Sequence, residues 1–449
     1  MSPGRPLRVA TVSVHACPLA PPGAWETGGM NIYIREVSRH LSRLGVHVDV
    51  FTRRQGPDGK AVEPFAEHTR VIHVPAGPAR YLPKEQVVSY LPEFICNMRE
   101  FIARQEVSYD IVHSHYWLSG RVAGYFKNVW HVPMVTMFHT LAELKNQVSS
   151  TADEWESDVR FGIERLTVAT ADRVIASTAS DRAHLEGYYG ADPSRISVVP
   201  CGVDLERFHP GPRAAARRHL GFGDDAVVLF VGRIQQLKGI DLLLRAAAIL
   251  GDRHRNGDLP AFRVVIVGGR PTAEKDDPET REIHRLRTLA SELGVESHVQ
   301  WVGAVDHESL PEYYQAADVT VMPSTYESFG LVAIESMACG TPVVASRVGG
   351  LQATVQDGRT GYLIPWREPR LYAERIADLL CRPDLRENLS QAARARAEEF
   401  GWDSVATQLV SLYESTLETH PGSYPVAALA RAVGDSPTTS FRPAVPCPA

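Results

Sequence analysis

Short runs of β-branched and aliphatic residues alternate with amphipathic stretches along nearly the whole chain, and the alternation breaks once, at 204–223, before it restarts. That rhythm commits a chain to parallel sheets, because a parallel neighbour needs a crossover long enough to hold a helix. The strands expected before the break are 8–14, 46–52, 71–74, 111–114, 134–138, 173–177 and 196–199; those after it are 227–231, 263–267, 299–302, 319–322 and 343–345. Helical periodicity is clearest at 31–44, 85–104 and 155–169. The interruption, DLERFHPGPRAAARRHLGFG, is rich in Pro, Gly and Arg and reads as a connector. At 449 residues the chain is too long for one ordinary core. The expected fold class is α/β, with two doubly wound Rossmann-like domains facing a cleft. Residues 1–205 would form the first domain, 206–225 the linker and 226–395 the second; 396–419 would be a helix packing back on the first domain. The Pro/Ala/Ser-rich stretch 420–449 is expected to be a disordered tail. Ligands of such sheets bind outside the carboxyl ends of the strands, which places function in the cleft.

Composition narrows the partners. A formal net charge of −6 offers no basic surplus for nucleic acid or an anionic membrane surface. No apolar run approaches transmembrane length, and the start MSPGRPLRVATVSVHACPL reads as a first strand rather than a signal sequence. The six cysteines lack Cys-x-x-Cys spacing, so a reduced, cytoplasmic protein is expected, with most of them buried fillers. Small-molecule substrates are the expected partners, without stable membrane insertion, and a homodimer stays possible.

Residues 323–345 read PSTYESFGLVAIESMACGTPVVA and set Glu327 and Glu335 eight positions apart across a loop-to-helix junction. Leu331, Ile334, Met337 and Ala338 recur at helical spacing until Gly340 and Pro342 stop the helix. A helix starting near Phe329 would aim the free N–H groups of Phe329, Gly330 and Leu331 into the loop mouth, where phosphate oxygens and sugar hydroxyls are favoured. Carboxylates accept well from vicinal hydroxyls, so one could hold a transferred sugar and the other a ribose. Either glutamate alone could equally be a capping or solvated acid. The Gly- and Pro-bounded strand–loop–helix context is what argues for a sugar-nucleotide site.

Four further segments converge with this one. Gly28, Gly29, Met30 and Asn31 open the first helix, where paired glycines let a diphosphate approach the backbone, although the dinucleotide fingerprint Gly-x-Gly-x-x-Gly is missing. After the first strand of the second half, VGRIQQLKG supplies Arg233 as a phosphate fork and Lys238 as a point charge. His113, His115 and His139 lie at strand ends without a zinc-like ligand spacing; His139 is read as a polar contact to a donor sugar and the other two are left unassigned. Lys84, Tyr116, Thr140 and Arg160 sit at strand or helix ends and could together hold an anionic acceptor, but spacing alone does not separate them from solvated side chains.

The segments GGMNIYIREVSRHLSRLGVHVDVFTRR, GRIQQLKG and the Glu-x7-Glu stretch together resemble the retaining glycosyltransferases of family 4, which have the GT-B fold. The resemblance runs from about residue 8 to residue 417. Within the family, GGMNIY, PAGPARYLPKE, DIVHSHYWLSG and HTLAELKN are most similar to the enzymes that glycosylate an inositol phosphate. The resemblance implies roles. Asn31, Lys84, Tyr116, Thr140 and Arg160 would bind the phosphorylated acceptor. Arg233 and Lys238 would bind the donor diphosphate, Glu327 the donor sugar and Glu335 the ribose, with Gly29, Phe329, Gly330 and Leu331 completing the donor site. Glu327, His139, Arg233 and Lys238 would be the catalytic set, transferring GlcNAc or glucose from a nucleotide-sugar, UDP-linked by expectation. No cofactor is required for that chemistry, no metal site is expected, and Mg2+ is left open. YLPKEQVVSYLPEF is also similar to sucrose-phosphate synthases, whose acceptor is fructose 6-phosphate. A GT-B epimerase and a non-catalytic sugar-nucleotide binder are the alternatives from other classes.

Overall fold

The alternation folds into two separate sheets. The computed structural model describes residues 5–20, 28–57, 60–149, 155–269, 277–365 and 367–420; the expected tail lies outside them apart from His420. The strands are β1 Arg8–Val12, β2 His47–Arg53, β3 Val62–Ala66, β4 Thr69–Val74, β5 Ile111–His115, β6 Met134–Met137, β7 Arg173–Ala176 and β8 Ile196–Val198, then β9 Ala226–Val231, β10 Phe262–Val267, β11 Val299–Gly303, β12 Val319–Met322, β13 Val343–Ser346 and β14 Gly361–Ile364. The first sheet runs β3-β4-β2-β1-β5-β6-β7-β8 and the second β11-β10-β9-β12-β13-β14. All pairings are parallel except β3 with β4. Strand order reverses between β1 and β5 in one sheet and between β9 and β12 in the other. Those two switch points open a crevice at the strands' carboxyl ends.

Two strands are absent from the sequence expectation. β3 carries Pro64 and pairs only at the sheet edge, where a missing N–H is tolerated. β14 starts at Gly361 and carries only one β-branched residue, Ile364, so it does not read as a strand run. The connector is not plain loop, since Arg213–His219 is helical. The helix expected over 85–104 is divided into Lys84–Val87, a 3-10 turn Val88–Tyr90 and Leu91–Gln105. Of the four free thiols, only Cys201 and Cys339 are buried, while Cys17 is half-buried and Cys381 exposed.

The last helix, Trp402–Thr419, returns to the first sheet's side and packs against Gly29–Arg43. Val203 N–H donates to Phe400 O at 2.8 Å, which holds the returning chain beside the outgoing one. Trp402 is buried edge-on to Tyr33, with ring centroids 5.6 Å apart, His40 Nδ1 lies 2.6 Å from Asp403, and His113 Nδ1 lies 2.8 Å from the Tyr413 hydroxyl. Gly202 is required under that indole, because a Cβ there would lie 2.4 Å from the ring. Gly202→Ala is therefore expected to cost about 1–3 kcal/mol, the usual penalty of overpacking, read from denaturant unfolding.

Candidate active site

The expected site residues gather at the two switch points. In the second sheet, the turn after β9 and the loop after β12 touch backbone to backbone. Gly239 takes φ 66°, and a Cβ on it would lie 2.1 Å from Pro323 O. Thr325 N–H donates to Leu237 O at 2.8 Å, and its hydroxyl reaches the same oxygen at 3.0 Å. With the loops stitched together, Lys238 Nζ lies 2.6 Å from Glu327 Oε2, both side chains partly exposed at the cleft. Gly349 and Gly350 brace the loop from behind: added Cβ atoms would lie 2.1 Å from Glu327 O and 2.2 Å from Ser328 O. Arg233 is exposed and makes no hydrogen bond or ion pair with a described residue.

The helix expected from Phe329 begins at Leu331, because Gly330 takes φ 91°, a left-handed conformation that ends the helix there. Phe329 is buried, edge-on to Phe400. The N–H groups of Phe329, Gly330 and Leu331 still donate to no described acceptor, so they remain available to an anion.

Glu335 is not the solvated acid it could equally have been when taken alone. It is 6% exposed, and both carboxylate oxygens are already engaged, Oε1 at 3.0 Å from His307 Nε2 and Oε2 by the Tyr314 hydroxyl at 2.9 Å. A carboxylate has further lone pairs, so a diol could still be accepted at its rim.

In the first domain the four dispersed polar residues come together around one ring. Lys84 Nζ stands 5.4 Å from the centroid of Tyr116, and the Arg160 guanidinium carbon 4.9 Å from it. Arg160 is fully buried and all five of its N–H groups are used. Nε donates to Glu164 at 2.7 Å, Nη1 to the Tyr116 hydroxyl at 2.9 Å and to Glu156 at 2.8 Å, and Nη2 to Thr140 O and Oγ1 at 3.0 and 3.2 Å. Burial works against the charge, but Tyr116, Glu164 and Glu156 outweigh it and raise the Arg160 pKa. Arg160 is therefore not an open phosphate fork. It donates to the hydroxyls of Tyr116 and Thr140, which leaves their protons to point outward as donors. Asn31 is likewise committed: its side chain accepts from Gly28 N–H at 3.1 Å and donates to Cys17 O at 2.8 Å, fastening the glycine turn to the loop after β1. Gly29 reaches across the cleft, where a Cβ would lie 2.9 Å from Leu331.

His139 sits at the cleft with φ 62° and its ring 5.2 Å from Tyr33. Its Nε2 lies 3.0 Å from His115 Nδ1. Burial, with His113 nearby, pushes the His139 pKa down to about 3, so the imidazole is neutral at ordinary pH. Four residues outside the expected set, His15, Tyr326, Ser177 and Asp181, join the site. His15, past the end of β1, stacks 4.7 Å from Tyr116 and has a buried Nδ1 with no described partner. Tyr326 lines a pocket with Phe138, His139, Thr140, Ser177 and Asp181, and Ser177 Oγ lies 3.4 Å from Ser328 O across the cleft. The one sequence signal for His15 was its place at a strand's carboxyl end; Ser177 and Asp181 had none. Among the described residues no group of three His, Cys, Asp or Glu is placed to hold a metal.

These burials set a pH dependence. Burial lowers the pKa of His15, His113, His115 and His139 from an ordinary 6.5, to about 3 for His113 and His139. The unfolded chain takes up these protons first, so stability is full above pH 6.5 and is lost as pH falls towards 3, each histidine adding about 1.4 kcal/mol per pH unit. Asp181, raised by burial from 3.8 to about 6, acts oppositely between those values. The histidines outnumber it, so the thermal midpoint should fall from pH 6.5 to 5, and Asp181→Asn should steepen the fall. Arg160→Ala should lose about 3–5 kcal/mol by stranding the buried Glu164, seen as a lowered midpoint together with lowered activity.

Residues 27–207 match Glycosyltransferase Family 4, and residues 213–396 match Glycosyl transferases group 1. A protein of Geodermatophilus obscurus named D-inositol 3-phosphate glycosyltransferase is 45% identical, over 98% of this chain and 94% of its own. One of the same name from Acidothermus cellulolyticus is 43% identical, over 93% of this chain and 92% of its own. Among solved structures, sucrose-phosphate synthase from Thermosynechococcus elongatus has a TM-score of 0.82 at 35% identity, covering 91% of this chain and 98% of that one. HepE from Anabaena, solved with UDP and glucose, shares the fold, with a TM-score of 0.70 at 18% identity over 91% of this chain and all of that one. With two parallel sheets facing a cleft and both family matches in register with them, the chain belongs to the group 1, family 4 glycosyltransferases of GT-B fold, in the branch whose relatives are named D-inositol 3-phosphate glycosyltransferase.

Proposed function

We propose that this glycosyltransferase moves a hexosyl unit, GlcNAc or glucose, from a UDP-linked donor to an inositol phosphate, with retention at the anomeric carbon. The observation that carries the acceptor is the convergence of Lys84, Tyr116, Thr140 and Arg160 around one ring, across the cleft from the Lys238–Glu327 pair. Cations behind two outward-pointing hydroxyl donors suit a phosphate monoester, and the relatives' names support an inositol phosphate.

On the donor side, the leaving diphosphate would take the acceptor's proton while both groups lie on one face of the sugar. Arg233, Lys238 and the free N–H groups of Phe329, Gly330 and Leu331 would meet the charge that develops on it. Glu327 would accept from the donor sugar once Lys238 turns to phosphate, so the ion pair holds both groups ready before the donor arrives. His139 would contribute a neutral hydrogen bond to the sugar. Such a mechanism asks the protein for near-attack geometry and exclusion of water, not for a nucleophile. This reading needs no cofactor and leaves Mg2+ optional.

The test is a donor-by-acceptor matrix of UDP-GlcNAc, UDP-glucose, ADP-glucose and GDP-glucose against inositol phosphate and fructose 6-phosphate, with the product anomer read by NMR. An α-linked inositol product from a UDP donor is expected. Turnover with fructose 6-phosphate alone would give the acceptor to the reading that the sucrose-phosphate synthase similarity favours. Lys238→Ala should lower kcat by about 10²- to 10³-fold, the scale of removing one preorganised charge-stabilising donor. Its thermal midpoint should barely move, since a partly exposed ion pair contributes about 1 kcal/mol or less. Thr140→Val should raise KM for the phosphorylated acceptor and leave KM for the donor unchanged.

A further inference from the structure

The segment that carries the chain from the first sheet to the second is tied by hydrogen bonds to Glu335. Arg207 Nη1 lies 2.9 Å from His307 Nδ1, His307 Nε2 lies 3.0 Å from Glu335 Oε1, and the Tyr314 hydroxyl donates to Glu335 Oε2 at 2.9 Å. The proton positions follow from chemistry. A guanidinium can only donate, so His307 Nδ1 must be the acceptor and its proton must sit on Nε2, aimed at the carboxylate. Phe208 fixes the imidazole plane edge-on, with ring centroids 5.2 Å apart. The crossing segment is itself anchored, since Arg394 Nη1 donates to Phe208 O at 3.0 Å and Asp204 accepts from Arg207 N–H at 3.0 Å.

We propose that Arg207 and His307 are positioning residues for donor binding: they hold the Glu335 carboxylate in the plane that accepts the ribose diol. The inference rests on the ribose role proposed for Glu335. A buried carboxylate with one donor on each oxygen cannot rotate, and its remaining lone pairs keep a fixed direction. Because Arg207 belongs to the crossing segment, the donor's ribose is sensed where the two sheets are joined. Removing the Nε2 proton would leave Glu335 short of a partner at a site only 6% exposed, and the carboxylate would turn.

The test compares the dissociation constants of UDP and 2′-deoxy-UDP by calorimetry in the full-length protein and three variants. Wild type should favour UDP by about tenfold or more, the worth of a hydroxyl bonded to a charged acceptor. His307→Asn can accept from Arg207 but cannot reach Glu335, so the ratio should fall to within about twofold of unity. His307→Gln returns an N–H to the Nε2 position and should keep most of the ratio. Arg207→Met, on a partly exposed side chain, should fold normally and lower the ratio about threefold, as the tautomer is no longer imposed. A purely structural role would lower affinity for both nucleotides equally in every variant. An undiminished ratio in His307→Asn and Arg207→Met overturns the proposal while the ribose role stands. A wild-type ratio near one overturns the ribose role, and this inference with it.

Discussion

Lys238 and Glu327 face each other because two turns from neighbouring strands make backbone contact, and the donor side of the cleft follows from that contact. Only a residue without a Cβ fits where Gly239 meets Pro323 O, and its φ of 66° also favours glycine. The two hydrogen bonds from Thr325 to Leu237 O close the same gap. Gly349 and Gly350 press on the other side of the Glu327 loop. The charged pair is thus placed by neutral backbone packing, which costs nothing when a ligand separates Lys238 from Glu327. Side chains that are only 23% and 16% exposed can exchange one partner for another without any rearrangement of the chain.

The cluster around Arg160 is built differently. Arg160 makes every hydrogen bond a guanidinium can make, and its carboxylate Glu164 is in turn satisfied by Ala142 N–H and the Tyr189 hydroxyl. A buried ion pair with complete hydrogen bonding is rigid, because each broken contact strands a charge in low dielectric. The rigid pair then orients Tyr116 and Thr140. Neutral buried histidines continue the packing from His139 through His115 and His113 to Tyr413 on the final helix. That helix consequently packs with the first sheet although it follows the second in sequence.

Much of this was legible in the residues. Twelve of the strands follow from runs of β-branched and aliphatic residues between turn signals, since a strand buried on both faces reads as a continuous apolar run. The edge strand and β14 do not follow, because Pro64 interrupts the one, Gly361 opens the other, and neither is a run of β-branched residues. Glycine pairs and the Glu-x7-Glu spacing pointed to loops at strand ends, and the switch points put them together. The misplacements share one cause: a side chain's accessibility depends on partners far away in sequence. Glu335 looks like a helix-face acid until His307 and Tyr314 close over it, and Arg160 looks like an open cation until Glu156, Glu164, Tyr116 and Thr140 take its five donors.

The sequence by itself determined the α/β class and the two-part organisation and singled out candidate residues in both halves, because periodicity and local turn chemistry are properties of neighbouring residues. The tertiary structure decided which polar groups remain free to meet a substrate. Arg233 and the N–H groups of residues 329–331 stay unpartnered among the described residues, whereas Asn31, Arg160 and Glu335 are already bonded to the protein. Hydrogen bonds saturate, so whether a donor or acceptor is left for a ligand depends on every group within about 3 Å of it. That count exists only once the chain has folded.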